Sequence, residues 1–179
     1  MDAAEARRIT FQFTEDDLIA AARLHVWTAL TSRKALLLLV VVVIGAGLIV
    51  STLLSGSGRP DLQGVVATAV VGVPAALAIL HYMSLPQNAR RMYRQQKSLH
   101  ETLAVEWSED GMSWDGQTGY TRIPWNHYVK WCEDHRLLLL YHSDRLHQML
   151  PKRVLPPAGI DSIRSSLVKA GVPEFRRFG

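Results

Sequence analysis

Hydrophobic and polar positions along this chain follow several rhythms, and each predicts a different element. In Ile9-Thr10-Phe11-Gln12-Phe13-Thr14 apolar and polar side chains alternate, which predicts a half-buried strand. Thr14-Glu15-Asp16-Asp17 reads as a capping-box-like helix start with acidic residues in its first turn. Leu18, Ala22, Val26 and Ala29 then recur at helical spacing. From 35 to 54 the alternation vanishes, and twenty residues pass without an ionisable side chain. A second stretch, 62–85, carries none except His81 near its far end. About twenty helical residues rise about 30 Å, the thickness of a bilayer's hydrocarbon core. The two stretches therefore predict a transmembrane hairpin, with the N-terminal helix running on into the first span.

After residue 100 the pattern shortens. Stretches 102–107, 111–114, 120–124, 127–133, 136–142 and 146–150 read as six short strands. Turn signals separate them: Glu109-Asp110-Gly111, Asp115-Gly116, Glu133-Asp134 and Ser143-Asp144. Close spacing and tight turns predict an antiparallel meander. A last helix follows Pro156-Pro157, with Ile160, Ile163, Leu167 and Val168 on one face, and Gly171 and Pro173 stop it. Such a helix can cover the apolar face of a sheet. The strand near Ile9 is expected to pair with the C-terminal strands. Seven strands and one C-terminal helix match the count of a pleckstrin-homology-like (PH-like) barrel.

Charge orients the expected hairpin. Arg23, Arg33 and Lys34 precede the first span, and Arg90, Arg91, Arg94 and Lys97 follow the second, with no acidic residue until Glu101. Positive residues near span ends stay on the cytoplasmic side. The expected fold is thus an α+β membrane protein: cytoplasmic strand and helix in 1–33, transmembrane hairpin in 34–85, basic linker in 86–99, and a small antiparallel β, PH-like cytoplasmic domain with a C-terminal helix in 100–179. The expected location is the bacterial cytoplasmic (inner) membrane, multi-pass, with both termini cytoplasmic. Gly64, Thr68 and Gly72 recur every four residues and form a small-residue helix-packing face, against the hairpin itself or a second copy. No charged residue falls inside the spans, which argues against a transport path.

Candidate chemistry is sparse. His127, His135, His142 and His147 sit near Cys132, Glu133 and Asp134, but no pair has helical i, i+4 or Cys-x-x-Cys spacing, and the histidines spread over separate strands and a turn. Cys132 is alone, so no intramolecular disulfide can form. A phosphate loop, a nucleophile elbow and a paired-carboxylate motif are all missing from the pattern. The sequence implies no enzyme, cofactor or metal. Trp125, Tyr128 and Trp131 fill a small core or leave an aromatic patch for a partner, and Lys152-Arg153 is a candidate contact for an acidic partner or headgroup. Arg90, Arg91, Arg94 and Lys97 are the candidate lipid-headgroup set. A net charge of +4 does not point to nucleic acid, because cations in the C-terminal domain alternate with acids.

Glu109-Asp110-Gly111-Met112, then Ile123-Pro124-Trp125, Tyr128 and Glu133, the apolar run 137–140, and Leu150-Pro151-Lys152-Arg153 together resemble the YcxB-like family of small bacterial membrane proteins. The resemblance covers about residues 100–170 and implies a two-span anchor ahead of a short C-terminal domain. Pro156-Pro157 departs from the charged stretch expected before the last helix. The family has no established reaction, so the resemblance implies architecture and localisation rather than chemistry. The expected function is a membrane-anchored, non-catalytic binding module that recognises a protein partner or anionic inner-leaflet lipid. The alternative is a structural or immunity-type protein acting through its hairpin, with homo-oligomerisation open to both.

Overall fold

The computed structural model describes residues 7–31, 37, 40–45, 47, 51 and 60–175, and for 60–71 the backbone alone. The chain divides into two compact units, Met1–Leu24 with Gln87–Gly179, and His25–Pro86.

The first unit joins the two ends of the chain. Strand β1 (Arg8–Phe11) pairs antiparallel with β2 (Leu103–Trp107), setting Arg8 opposite Glu106 and Phe11 opposite Leu103. The N-terminal strand therefore does join the C-terminal strands. β3 (Gly111–Gly116) and β4 (Gly119–Pro124) complete a four-stranded sheet in the order β1-β2-β3-β4. The expected continuous meander breaks there. Pro124 closes β4, and Trp125 opens a 3-10 turn through His127 with its ring 2% exposed. Burying that ring turns the chain inward, and a second sheet begins with β5 (Lys130–Glu133), β6 (Leu137–Tyr141) and β7 (His147–Pro151).

β6 is buried along all five residues, as a run without alternation requires. Leu138 and Leu140 enter the main core with Val105, Trp107, Met112, Trp125 and Leu150. Leu137, Leu139 and Tyr141 face the other way, onto Ala20, Ala21 and Leu24. Those three belong to α1 (Glu15–Leu30), whose first turns cover the outer face of the second sheet. The capping box predicted at its start is complete: the Thr14 N–H donates to Asp17 at 2.9 Å and the Asp17 N–H to Thr14 Oγ1 at 3.2 Å.

Helix α2 (Pro60–Gln95) ends in this unit, and α3 (Pro157–Lys169) closes it. The double proline suits α3, since Pro156 holds the N-cap and Pro157 the first helical position, where no N–H is needed. Ile163 and Leu167 are fully buried and Ile160 partly so, whereas Val168 is 66% exposed and lies off the docking face.

In the second unit the membrane reading is corrected. Among the described residues, no helix is long and apolar enough to cross a membrane. Most of the expected first span, 35–54, lies outside the described residues, as does the start of the turn after it. The expected second span, 62–85, falls in α2, which contains Pro74 and Pro86 and ends in arginines. Val73, Leu77, Ile79 and Leu80 there are each more than half exposed. The fold is α+β with antiparallel sheets. The transmembrane hairpin and the multi-pass inner-membrane placement both fall with this finding. α1 ends at Leu30, with Thr31 in a turn and 32–36 outside the described residues.

Candidate functional site

Of the two readings for Trp125, Tyr128 and Trp131, core or partner patch, the structure favours the core. Trp125, Tyr128 and Trp131 are 2%, 3% and 2% exposed. Each spends its polar atom inside the fold, as buried Trp and Tyr usually do. Trp125 Nε1 donates to the Ser108 carbonyl at 3.0 Å, Tyr128 Oη to Gln148 Oε1 at 2.8 Å, and Trp131 Nε1 to the Val172 carbonyl at 3.3 Å. Trp125 and Tyr128 lie together, ring centroids 6.2 Å apart. Burial pushes the Tyr128 phenol above its ordinary range. These rings make core, not surface.

Lys152 and Arg153 are likewise occupied. Lys152 Nζ meets Glu133 at 2.9 Å and donates to the Asp134 carbonyl. Glu133 also takes Arg164 of α3 at 2.8 Å. Arg153 holds Asp17 at 2.7 Å and donates to the Gln12 carbonyl at 2.8 Å. Burial alone would raise the Asp17 carboxyl, but hydrogen bonds from Arg153 and Thr14 outweigh it and hold the group below its ordinary 3.8. The two cations tie the 3-10 turn after β7 to β5 on one side and to the start of α1 on the other.

The arginines at the end of α2 do form a surface. Arg90, Arg91 and Arg94 sit at helical neighbour spacing, so they share one side of the helix. With Gln87 and Gln95 they line an open recess of about 470 Å³. Arg90 and Arg94 approach Glu15 at 3.8 and 3.5 Å, with side chains 56% and 75% exposed. Lys97 stands exposed in the 3-10 turn that follows. Three exposed guanidiniums therefore face solvent, with the Glu15 carboxylate beside two of them.

Residues 107–165 match the family model described as YcxB-like protein. The chain carries a YcxB-like domain. No curated protein and no solved structure matches the chain. The matched stretch begins at the last residue of β2 and ends inside α3, so β1 and nearly all of β2 lie before it. The motif residues quoted from the sequence serve the YcxB-like domain's packing. Gly111 abuts the Ile123 carbonyl, Trp125 and Tyr128 fill the core, and Glu133 binds two cations.

Other sequence candidates stay apart. Among the described residues, no group of three or more His, Cys, Asp or Glu side chains is placed to hold a metal ion. Cys132 is 1% exposed, and burial pushes its thiol up to about 11. Its Sγ lies 3.9 Å from Tyr141 Oη. Gly64 and Thr68 belong to the part of α2 whose side chains are not described, and Gly72 is exposed. Two features escaped the sequence reading: the Asp17–Arg153 pair and the path of residues 172–175. Asp17 gave a signal only as a capping residue. Gly171 read as a helix stop, with no indication of where the chain goes next.

Proposed function

We propose that the chain is a non-catalytic binding module that recognises an acidic segment of a protein partner through the arginine side of α2. The observation that carries this reading is the exposed set Arg90, Arg91 and Arg94 around one recess, with Glu15 as the carboxylate facing it. Guanidiniums form forked, bidentate bonds with carboxylates, and several on one helix side give geometric selectivity as well as charge. The exposure of the set keeps desolvation small and makes the interaction sensitive to salt, since screening sets in over about 10 Å at 0.1 M. A binding role also suits the interior. Asp17 and Glu133 are paired with cations, and Cys132 is held as the thiol, which makes it a poor nucleophile.

The test is a labelled ten-residue polyglutamate peptide titrated against the full chain at 50 and 200 mM salt. Binding is expected to weaken at least tenfold with salt. It should weaken again by at least tenfold in the variant Arg90→Glu, Arg91→Glu, Arg94→Glu, whose circular dichroism should match the wild type. Equal affinity of the variant would refute the reading. Vesicles rich in phosphatidylserine form a second arm, and binding confined to them would give the recess to a headgroup instead.

A further inference from the structure

β5 is an outer strand of its sheet, and its outward edge is covered by the chain's own C-terminal segment. Past α3, Gly171 adopts a left-handed conformation at φ 74°. Its N–H bonds the Val168 carbonyl at 3.0 Å, and the Val172 N–H bonds the Leu167 carbonyl at 3.0 Å. This cap reverses the chain and sends 172–175 parallel to β5. The Trp131 N–H then donates to the Pro173 carbonyl at 3.1 Å, and the Trp131 carbonyl accepts from the Phe175 N–H at 2.7 Å. The Trp131 indole adds a third bond, to the Val172 carbonyl at 3.3 Å.

Two side chains anchor the segment. Val172 is 6% exposed within the main core. Phe175 packs against the second cluster, which includes Cys132, Leu137, Leu139 and Tyr141. Main-chain bonds to a strand edge with pockets for spaced side chains are the means by which folded domains take up extended peptides. The pairing is short: a single parallel bridge, where each named strand pair has at least four registered residues. Pro173 also has no N–H to offer.

We infer that the β5 edge is a docking groove for an extended peptide of another protein, running parallel to β5, with a β-branched residue followed three positions on by an aromatic residue that donates its backbone N–H. Residues 172–175 occupy the groove as an intramolecular competitor. Their chemistry defines what fits. A tethered segment has an effective concentration on the order of millimolar, so an incoming peptide binds weakly until the tail lets go. This inference stands apart from the arginine recess and shares no residue with it.

The experiment uses the full chain and a fluorescein-labelled peptide with the sequence of residues 170–179, followed by fluorescence polarisation. Phe175→Asp removes the competitor's part-buried anchor. Gly171→Val strains the reversal without touching the groove. Both variants are expected to bind the peptide at least tenfold more tightly than wild type. A peptide methylated on the backbone nitrogen of its first phenylalanine, the position of Phe175, should lose at least tenfold. Equal affinities across wild type and variants, indifference to the methyl group, or no binding by folded variants would each overturn the inference. So would a wild-type dimer that exchanges labelled tails, since the occupant would then be a second copy.

Discussion

Gly111 stands where a side chain cannot. A Cβ there would run into the Ile123 carbonyl oxygen and lie 2.8 Å from Pro124 Cα, both backbone atoms of β4 that no rotamer change can move. Gly111→Ala is expected to cost about 1–3 kcal/mol by overpacking, read as a melting temperature several degrees lower. Asp17 gives a pH-dependent counterpart. Its carboxyl titrates below the ordinary 3.8 in the folded chain. The pair's contribution is therefore complete above the unfolded value and is lost as pH falls through the folded one. Melting temperature measured from pH 6 down to pH 2 should show this acid-side loss, and Asp17→Asn should lack that component. The same substitution should cost about 1–2 kcal/mol at neutral pH, at the low end for a charged hydrogen bond because Arg153 is 46% exposed. An unchanged acid limb in the variant would show that Asp17 does not carry it.

Glu133 acts between elements. It joins β5 to the turn after β7 through Lys152 and to α3 through Arg164. Lys152 and Glu133 have side chains only 14% and 19% exposed, so removing the carboxylate leaves a cation with little water to replace it. Glu133→Ala is expected to destabilise by about 1–3 kcal/mol and to speed hydrogen exchange in α3 before β6. Uniform acceleration across both elements would mean that Glu133 does not hold the helix. Much at this scale was legible in the sequence. The β-rich pattern located β2 to β7 within a few residues, and the capping box placed the start of α1 correctly. Legibility failed where two elements share one residue. Alternation offered both core and surface for Trp125, Tyr128 and Trp131 and could not choose, because a Trp with a buried acceptor and a Trp on a surface look alike in sequence. Lys152 and Arg153 looked free because their partners, Glu133 and Asp17, are 19 and 136 residues away. The apolar stretches were read as spans on length and composition alone, and the described part of α2 does not meet that standard.

Across the whole molecule, the matched family segment is smaller than the folding unit. Phe11, Phe13, Leu18, Ile19 and Val105 all belong to the main core and all precede residue 107, while Leu167 and Val172 follow residue 165. Each buried apolar side chain of this size is worth about 1.5–3 kcal/mol. Together they come to about 10–21 kcal/mol, comparable to or larger than the whole net stability of a domain, roughly 5–15 kcal/mol. A fragment of residues 107–165 is expected to show no cooperative thermal transition, whereas the full chain should show one. A cooperative melt of the fragment would mean that the N-terminal residues are dispensable to the core.

The β1–β2 register has a consequence during synthesis. Phe11 meets Leu103, 92 residues later in the chain. At translation rates of roughly 5–20 residues per second, the first strand leaves the ribosome about 5–20 s before its neighbour. For that interval Phe11 and Phe13 are sticky and the strand's amides lack their mate. A nascent chain of this protein is thus open to chaperones and to misassembly at its first strand until β2 has been made.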